Sequence, residues 1–325
     1  MKICLVTGGA GFIGANLVRS LVALGHRVHI VVEPQSSFWR LAGVVDRIVV
    51  HEIDLTQFTK INQMIEHIAP EWIFHLASYG GMPEQNDQDF VYYINFDCTR
   101  NLLDACARQG FECFINTGSS SEYGIQQQGM SELMALAPVS DYGVAKAAAT
   151  QYCSKRALAD KLPVYTVRPF SVYGEYEAPT RFIPTLVQHA LAGTTMNLSS
   201  PDYVRDFIYV QDLVDLYLAI AKKSPFGHTI FNGGTGVETS LGRAVQVAQS
   251  VVELPLQVAW NASEPRSWEP KHWKADCSLA QHVLGWKAQY SFEKGLKKTI
   301  LWFKQHGHVY QASPDCQHEL KQQGA

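Results

Sequence analysis

Tyr142 and Lys146 stand four residues apart in the stretch SDYGVAKAAATQYC, the spacing that puts two side chains on one face of a helix. An ammonium held near a phenol stabilises the phenolate. It would draw the tyrosine pKa down from about 10 toward working pH and fit the hydroxyl for acid/base work on a substrate oxygen. The pattern is cheap by itself, and YSFEK, from Tyr290 to Lys294, repeats it. Context separates the two: the first follows the strand-like run CFINTGSSSEYG and heads an Ala-rich helix, whereas the second lies in a late amphipathic segment and reads as surface. Ser119, at the carboxyl end of that strand-like run, is placed to hydrogen-bond the same substrate oxygen, since ligands of open parallel sheets bind at strand ends; a plain turn residue is the other reading.

The second chemical signal is VTGGAGFIG, which sets Gly8, Gly11 and Gly14 between an apolar run and a helical pattern. Glycines there let the backbone turn tightly and approach a phosphate at the helix N-terminus, the arrangement that binds a dinucleotide. Glu33, 19 residues beyond Gly14, falls where a carboxylate would accept hydrogen bonds from an adenosine ribose and repel a 2'-phosphate. It therefore favours NAD. Ser36, Ser37 and Arg40 offer the donors a 2'-phosphate would need, which keeps NADP open. Asp54 and Leu55 would contact adenine, with Asp54 as a helix cap the alternative or additional role.

These residues need elements to hold them. KICLVTG, RVHIVV, RIVVHEI, WIFHLA and CFINTG are short β-rich runs alternating with helical patterns, which predicts an α/β fold with a doubly wound parallel sheet. After VYTVRPFSVYG the rhythm breaks into Pro-rich and Gly-rich pieces before helical patterns resume. That predicts a dinucleotide-binding domain over residues 1–176, with 205–231 returning to it. A smaller C-terminal α/β substrate lobe is expected from 177–204 and 232–310, and a polar tail over 311–325.

With 325 residues, 46% of them hydrophobic, the chain can bury a sizeable core. A net charge of -3 with both signs interspersed gives no footprint for nucleic acid or an anionic membrane and points to a small-molecule partner. The seven cysteines and twelve histidines show no metal-ligand spacing, so no metal is expected, and free thiols suit a reducing cytoplasm. The apolar run before Gly8 is too short for a signal-peptide core or a membrane span.

In order along the chain, TGGAGFIG, HLA at 75–77, Asn95 in YYINFDCTRNLL, TGSSSEYG, Tyr142 with Lys146, RPFSVYG, RDFIYVQD, FNGGTG and LGW at 284–286 resemble the extended short-chain dehydrogenase/reductase family, in its nucleotide-sugar epimerase, dehydratase and ketoreductase branch. The resemblance covers residues 1 to about 305 and implies a Rossmann-type fold and an enzyme acting on a nucleoside-diphosphate sugar. It further implies that Tyr142 is the acid/base, that Lys146 binds the nicotinamide ribose, and that Ser119 completes the set. Phe12, Ile13, Leu76, Ala77, Ser78, Asn95, Thr117 and Pro169 would line the cofactor path; for Asn95, a helix-entry cap is the alternative. Ser120, Ser171, Arg205 and Arg266 would meet the substrate, the two arginines holding its pyrophosphate; Arg181 and Asn197 are further candidates. An ion pair with Asp206 or Glu269 is the structural alternative for those arginines. A homodimer built on residues 92–108 and 142–159 is also implied.

Dehydratases of this branch carry an acid/base pair directly after the catalytic Ser or Thr. Ser120 and Ser121 stand there, which disfavours dehydration, with Glu122 one step later as the exception to test. A 4-ketoreductase is the expected reaction, because VVEPQSSFWRL and NTGSSSEYG resemble a reductase-like sub-branch, and an NAD-retaining 4-epimerase is the alternative. A non-catalytic NAD(P)-sensing module would have little reason to keep both Tyr142 and Lys146.

Overall fold

Strands that are apolar at nearly every residue must be covered on both faces. The computed structural model, which describes residues 1–82, 85–262 and 272–312, covers them with helices. The first part of the chain runs β1 (Ile3–Thr7), α1 (Phe12–Ala23), β2 (Arg27–Val32), β3 (Val49–Glu52), α2 (Phe58–Ile68), β4 (Trp72–His75), α3 (Gln88–Tyr92), α4 (Thr99–Gln109), β5 (Cys113–Thr117), α5 (Asp141–Ala159) and β6 (Val164–Pro169). It continues with β7 (Ser171–Tyr173), α6 (Phe182–Ala192), β8 (Thr195–Leu198), β9 (Val204–Arg205), β10 (Phe207–Tyr209), α7 (Val210–Lys223), β11 (Ile230–Gly233), β12 (Thr239–Ser240), α8 (Leu241–Gln249), β13 (Gln257–Trp260), α9 (Ser278–Leu284) and α10 (Phe292–His306).

Among the described residues, seven parallel strands form the central sheet in the order β11-β6-β5-β4-β1-β2-β3. The chain winds outward from β1 in both directions, so a crevice opens at the carboxyl ends of β1 and β4, the switch point where such sheets bind ligands. Leu17 and Leu21 of α1 with Leu213 and Tyr217 of α7 bury one face. Ile61 and Ile65 of α2, Leu102 and Leu103 of α4 and Cys153 of α5 bury the other. Between α3 and α4 the helix widens to a π turn over Tyr93–Cys98.

A second core joins Leu186 and Val187 of α6, Val247 of α8, Leu296 and Ile300 of α10, and Tyr173 and Phe207 of the short β7–β10 pair. Residues 278–288, expected in this lobe, pack instead on the sheet's core through Ala280 and Trp286. The Trp286 indole also donates to the Asp212 carbonyl of α7 at 3.2 Å, a long-range bond invisible in local pattern.

Candidate active site

The turn from β1 into α1 is held so tightly that a Cβ at Gly14 would lie 2.2 Å from the Gly8 carbonyl oxygen. Only glycine lets the helix start this close to its own loop. No side chain caps α1 at Gly11, and its first amides are left to a ligand. From this loop a cleft of about 1390 Å³ runs along the strand ends. Gly8, Gly11, Phe12, Ile13 and Gly14 line its start, Glu33, Ser36, Ser37 and Arg40 its wall after β2, and Asp54 and Leu55 its wall after β3. Asp54 Oδ1 also accepts from the Thr56 amide at 2.8 Å, so it serves the turn as well. Leu76, Ala77 and Ser78 follow β4; Thr117, Ser119, Ser120, Tyr142, Lys146, Pro169, Ser171, Arg181 and Arg205 line the far end. The glycine cradle, the open helix start and the carboxylate one strand away fit a dinucleotide. Its phosphates would lie at Gly11–Gly14 and its adenosine near Glu33.

At the far end Ser140 caps α5, its Oγ accepting from the Gly143 amide at 3.1 Å, which fixes Tyr142 in the first turn. A Cβ on Gly143 would sit 2.7 Å from the Ser121 carbonyl oxygen. The missing side chain lets α5 press against the turn that carries Ser119; a glycine in a first helical turn is the sequence signal for that approach. Ser119 caps that turn reciprocally with Glu122. Lys146 is buried, donates to the Thr117 carbonyl at 2.7 Å, and lies 5.9 Å from the centre of the Tyr142 ring.

Burial pushes the Lys146 ammonium down to about 8, with the Glu122 charge opposing. The Tyr142 phenol is held above its ordinary range by the protein around it, while a hydrogen bond from Ser119 and the charge of Arg181 pull it back. The expected depression of Tyr142 by Lys146 is therefore corrected: burial outweighs the lowering influences, which come from Ser119 and Arg181, while one Lys146 donor is turned to the Thr117 carbonyl. Arg181 precedes α6 and donates to the Gly81 carbonyl at 3.3 Å.

Two expected contacts lie elsewhere. Asn95 is fully buried and does not line the cleft; its amide donates to the carbonyls of Tyr79 at 2.6 Å and Val91 at 2.8 Å, and its Oδ1 accepts from the Tyr79 amide at 3.4 Å. It holds the loop after β4. Asn197 is on the exposed side of β8, opposite Met196 and Leu198, because alternate residues of a strand face opposite ways. Arg266 and Glu269 lie outside the described residues. Asp206, the alternative partner for Arg205, is buried, and its oxygens accept from Thr235, Gly236 and Ala275 at 2.6–3.0 Å. Among the described residues no cluster of His, Cys, Asp or Glu could hold a metal ion, and no helix is long and apolar enough to cross a membrane.

The model of the NAD dependent epimerase/dehydratase family matches residues 4–234. The chain belongs to that family. The NAD dependent epimerase/dehydratase relatives include UDP-glucose 4-epimerase of Mycolicibacterium smegmatis, 30% identical over 315 residues that span 92% of this chain and 98% of that one. Another is dTDP-D-glucose 4,6-dehydratase of Mus musculus, 28% identical over 332 residues, 94% of this chain and 90% of the other. Among solved structures, MoeE5 in complex with UDP-glucose and NAD is 30% identical with a TM-score of 0.81, covering 93% of this chain and 98% of its own. UDP-glucuronic acid 4-epimerase from Bacillus cereus, with UDP-glucuronic acid and NAD, is 25% identical with a TM-score of 0.82, at 93% and 99%.

Proposed function

We propose that this protein is an NAD-dependent nucleotide-sugar 4-epimerase. The observation that carries the reading is one cleft with Glu33 at the adenosine end and Ser119, Tyr142 and Lys146 at the other. NAD, when bound, supplies a hydride acceptor that can return the hydride to either face of the sugar. Tyr142 takes the proton of the C4 hydroxyl as that carbon is oxidised and gives one back on reduction, and Ser119 holds the same oxygen. Lys146 anchors the adjoining ribose and keeps a positive charge beside the site. Arg205, with Arg266, would hold the pyrophosphate, whose paired oxygens suit a guanidinium fork.

Dehydration finds no acid/base pair directly after Ser119. Ser120 and Ser121 occupy the positions after Ser119, and Glu122 is fully buried and paired with Arg168 at 2.8 Å. The ketoreductase expected from the sequence uses the same three residues, and one observation favours it: Ser36, Ser37 and Arg40 line the cleft beside Glu33, where an NADPH phosphate would sit. Against it, Arg40 Nε donates to the Tyr176 carbonyl at 2.9 Å and its guanidinium stacks 4.4 Å from the Trp39 ring centre. The exposed Val144 and Leu158 on α5 are consistent with the dimer through that helix.

The decisive experiment is to denature purified protein, identify any released dinucleotide, and incubate the native enzyme with UDP-glucose without added cofactor. Stoichiometric NAD and formation of the C4 epimer support the epimerase. An empty site that binds NADPH and reduces a 4-keto sugar overturns it in favour of the reductase.

A further inference from the structure

The segment from Gly174 to Glu177, between β7 and α6, is pinned from four directions. Asn16 of α1 donates to the Glu175 carbonyl and Arg40 to the Tyr176 carbonyl, Tyr209 to the Glu175 carboxylate, and Tyr310 to the Glu177 carbonyl at 2.8 Å. Tyr176 is held at a φ of 70°, a conformation non-glycine residues keep only where surrounding contacts impose it. The result is to fix the Glu177 side chain, 6% exposed, in the wall of the cleft. Its Oε2 is buried and has no hydrogen-bond partner among the described residues. A buried carboxyl left short of a partner costs stability, so the fold maintains an unfavourable group on a surface that meets ligand. Burial pushes that carboxyl up to about 8, the nearby Arg181 charge and the Gly174 amide pulling the other way. At neutral pH it is mostly the neutral acid, able both to donate and to accept. Arg181, four residues on, donates to the Gly81 carbonyl at 3.3 Å, and a Cβ on the adjacent Gly80 would lie 3.5 Å from the Tyr142 ring, which places this wall toward the reacting end of the cleft.

We infer that Glu177 binds a hydroxyl of the substrate's hexose. A sugar hydroxyl matches the carboxyl, whose last torsion turns freely enough to present either oxygen. The inference rests on the nucleotide-sugar reading of the same site.

The test is calorimetry of NAD-loaded wild type, Glu177→Gln and Glu177→Ala with UDP and UDP-glucose, alongside thermal melts. Glu177→Ala should weaken UDP-glucose binding roughly tenfold, the worth of one hydrogen bond, and leave UDP binding unchanged. Glu177→Gln, which also donates and accepts, should keep most of the UDP-glucose affinity and melt no lower than wild type. Equal UDP-glucose affinity in all three proteins, parallel loss of UDP and UDP-glucose, or lower melting of both variants would overturn the assignment and leave the proposed reaction standing. A wild type that does not bind UDP-glucose overturns the proposed function, and the role of Glu177 falls with it.

Discussion

Arg168 Nε meets Glu122 Oε2 at 2.8 Å with side chains only 1% and 0% exposed, directly behind the turn that carries Ser119. The other glutamate oxygen accepts from the Ser119 amide at 2.8 Å and the Thr150 hydroxyl at 3.0 Å. Arg168 also donates to the Tyr123 hydroxyl at 3.0 Å, which in turn donates to Asn232 Oδ1 at 2.7 Å. Removing one partner strands the other charge without water. Glu122→Ala should therefore lower unfolding free energy by about 3–5 kcal/mol in urea titrations. A Glu122→Gln, Arg168→Met double variant should recover much of that loss. Both should lower turnover, because the turn that aims Ser119 loses its anchor.

Tyr142 and Ser119 line the same end of the cleft, and the serine draws the phenol back from the rise that burial causes. Tyr142→Phe removes the proton carrier and leaves the ring. Turnover should fall roughly 100- to 10,000-fold, with the NAD content of the purified protein and the melting temperature held within a few degrees. A variant with wild-type turnover would show that another group moves the proton.

Lys146 carries a pH signature in dinucleotide-free protein. Its ammonium, pushed down to about 8 by burial, loses its proton earlier in the folded state than in the unfolded chain, where lysine titrates near 10.5. Between those values the unfolded chain binds more protons, so folded-state stability rises with pH there and the full cost of the buried charge is felt below 8. Relative to wild type, Lys146→Met should gain most at pH 7. That advantage should shrink by roughly 3 kcal/mol, the worth of the full shift, as pH approaches 10.5. Denaturant titrations of both proteins at pH 7 and pH 10 measure it; a pH-independent difference would mean the ammonium is not destabilised by its surroundings.

The strands and the two ends of the cleft were legible because each rests on local pattern. Continuous apolar runs such as WIFH and CFINT mark strands covered on both faces, and all of their residues are buried. The glycine spacing marks a turn that only a small residue permits. What escaped depends on partners far along the chain. Asn95 was expected on the cofactor path through the family resemblance alone; its side chain binds the Tyr79 backbone, 16 residues earlier. Glu122 read as a possible proton donor until Arg168, 46 residues on, closed over it. Glu177 sits in an irregular stretch whose carbonyl is held by Tyr310, 133 residues away, and no periodicity announces such burial.

Glu33 closes β2 at the cleft wall, exposed and next to Ser36 and Ser37. Its carboxylate would accept the two ribose hydroxyls of NAD and repel the phosphate that replaces one of them in NADP. The competing cation, Arg40, is fastened to the Tyr176 carbonyl and to Trp39, so it does not cancel that repulsion without giving up both contacts. Glu33→Ser should therefore weaken NAD binding and strengthen NADP binding, each on the order of tenfold, about 1.4 kcal/mol per cofactor. Because the residue is exposed, the melting temperature of dinucleotide-free protein should not move. Fluorescence titration of dinucleotide-free wild type and variant with both cofactors measures the switch. If wild type already prefers NADPH, Ser36, Ser37 and a released Arg40 outweigh Glu33, and the balance moves from a retained to an exchanging cofactor, which is what a ketoreductase requires.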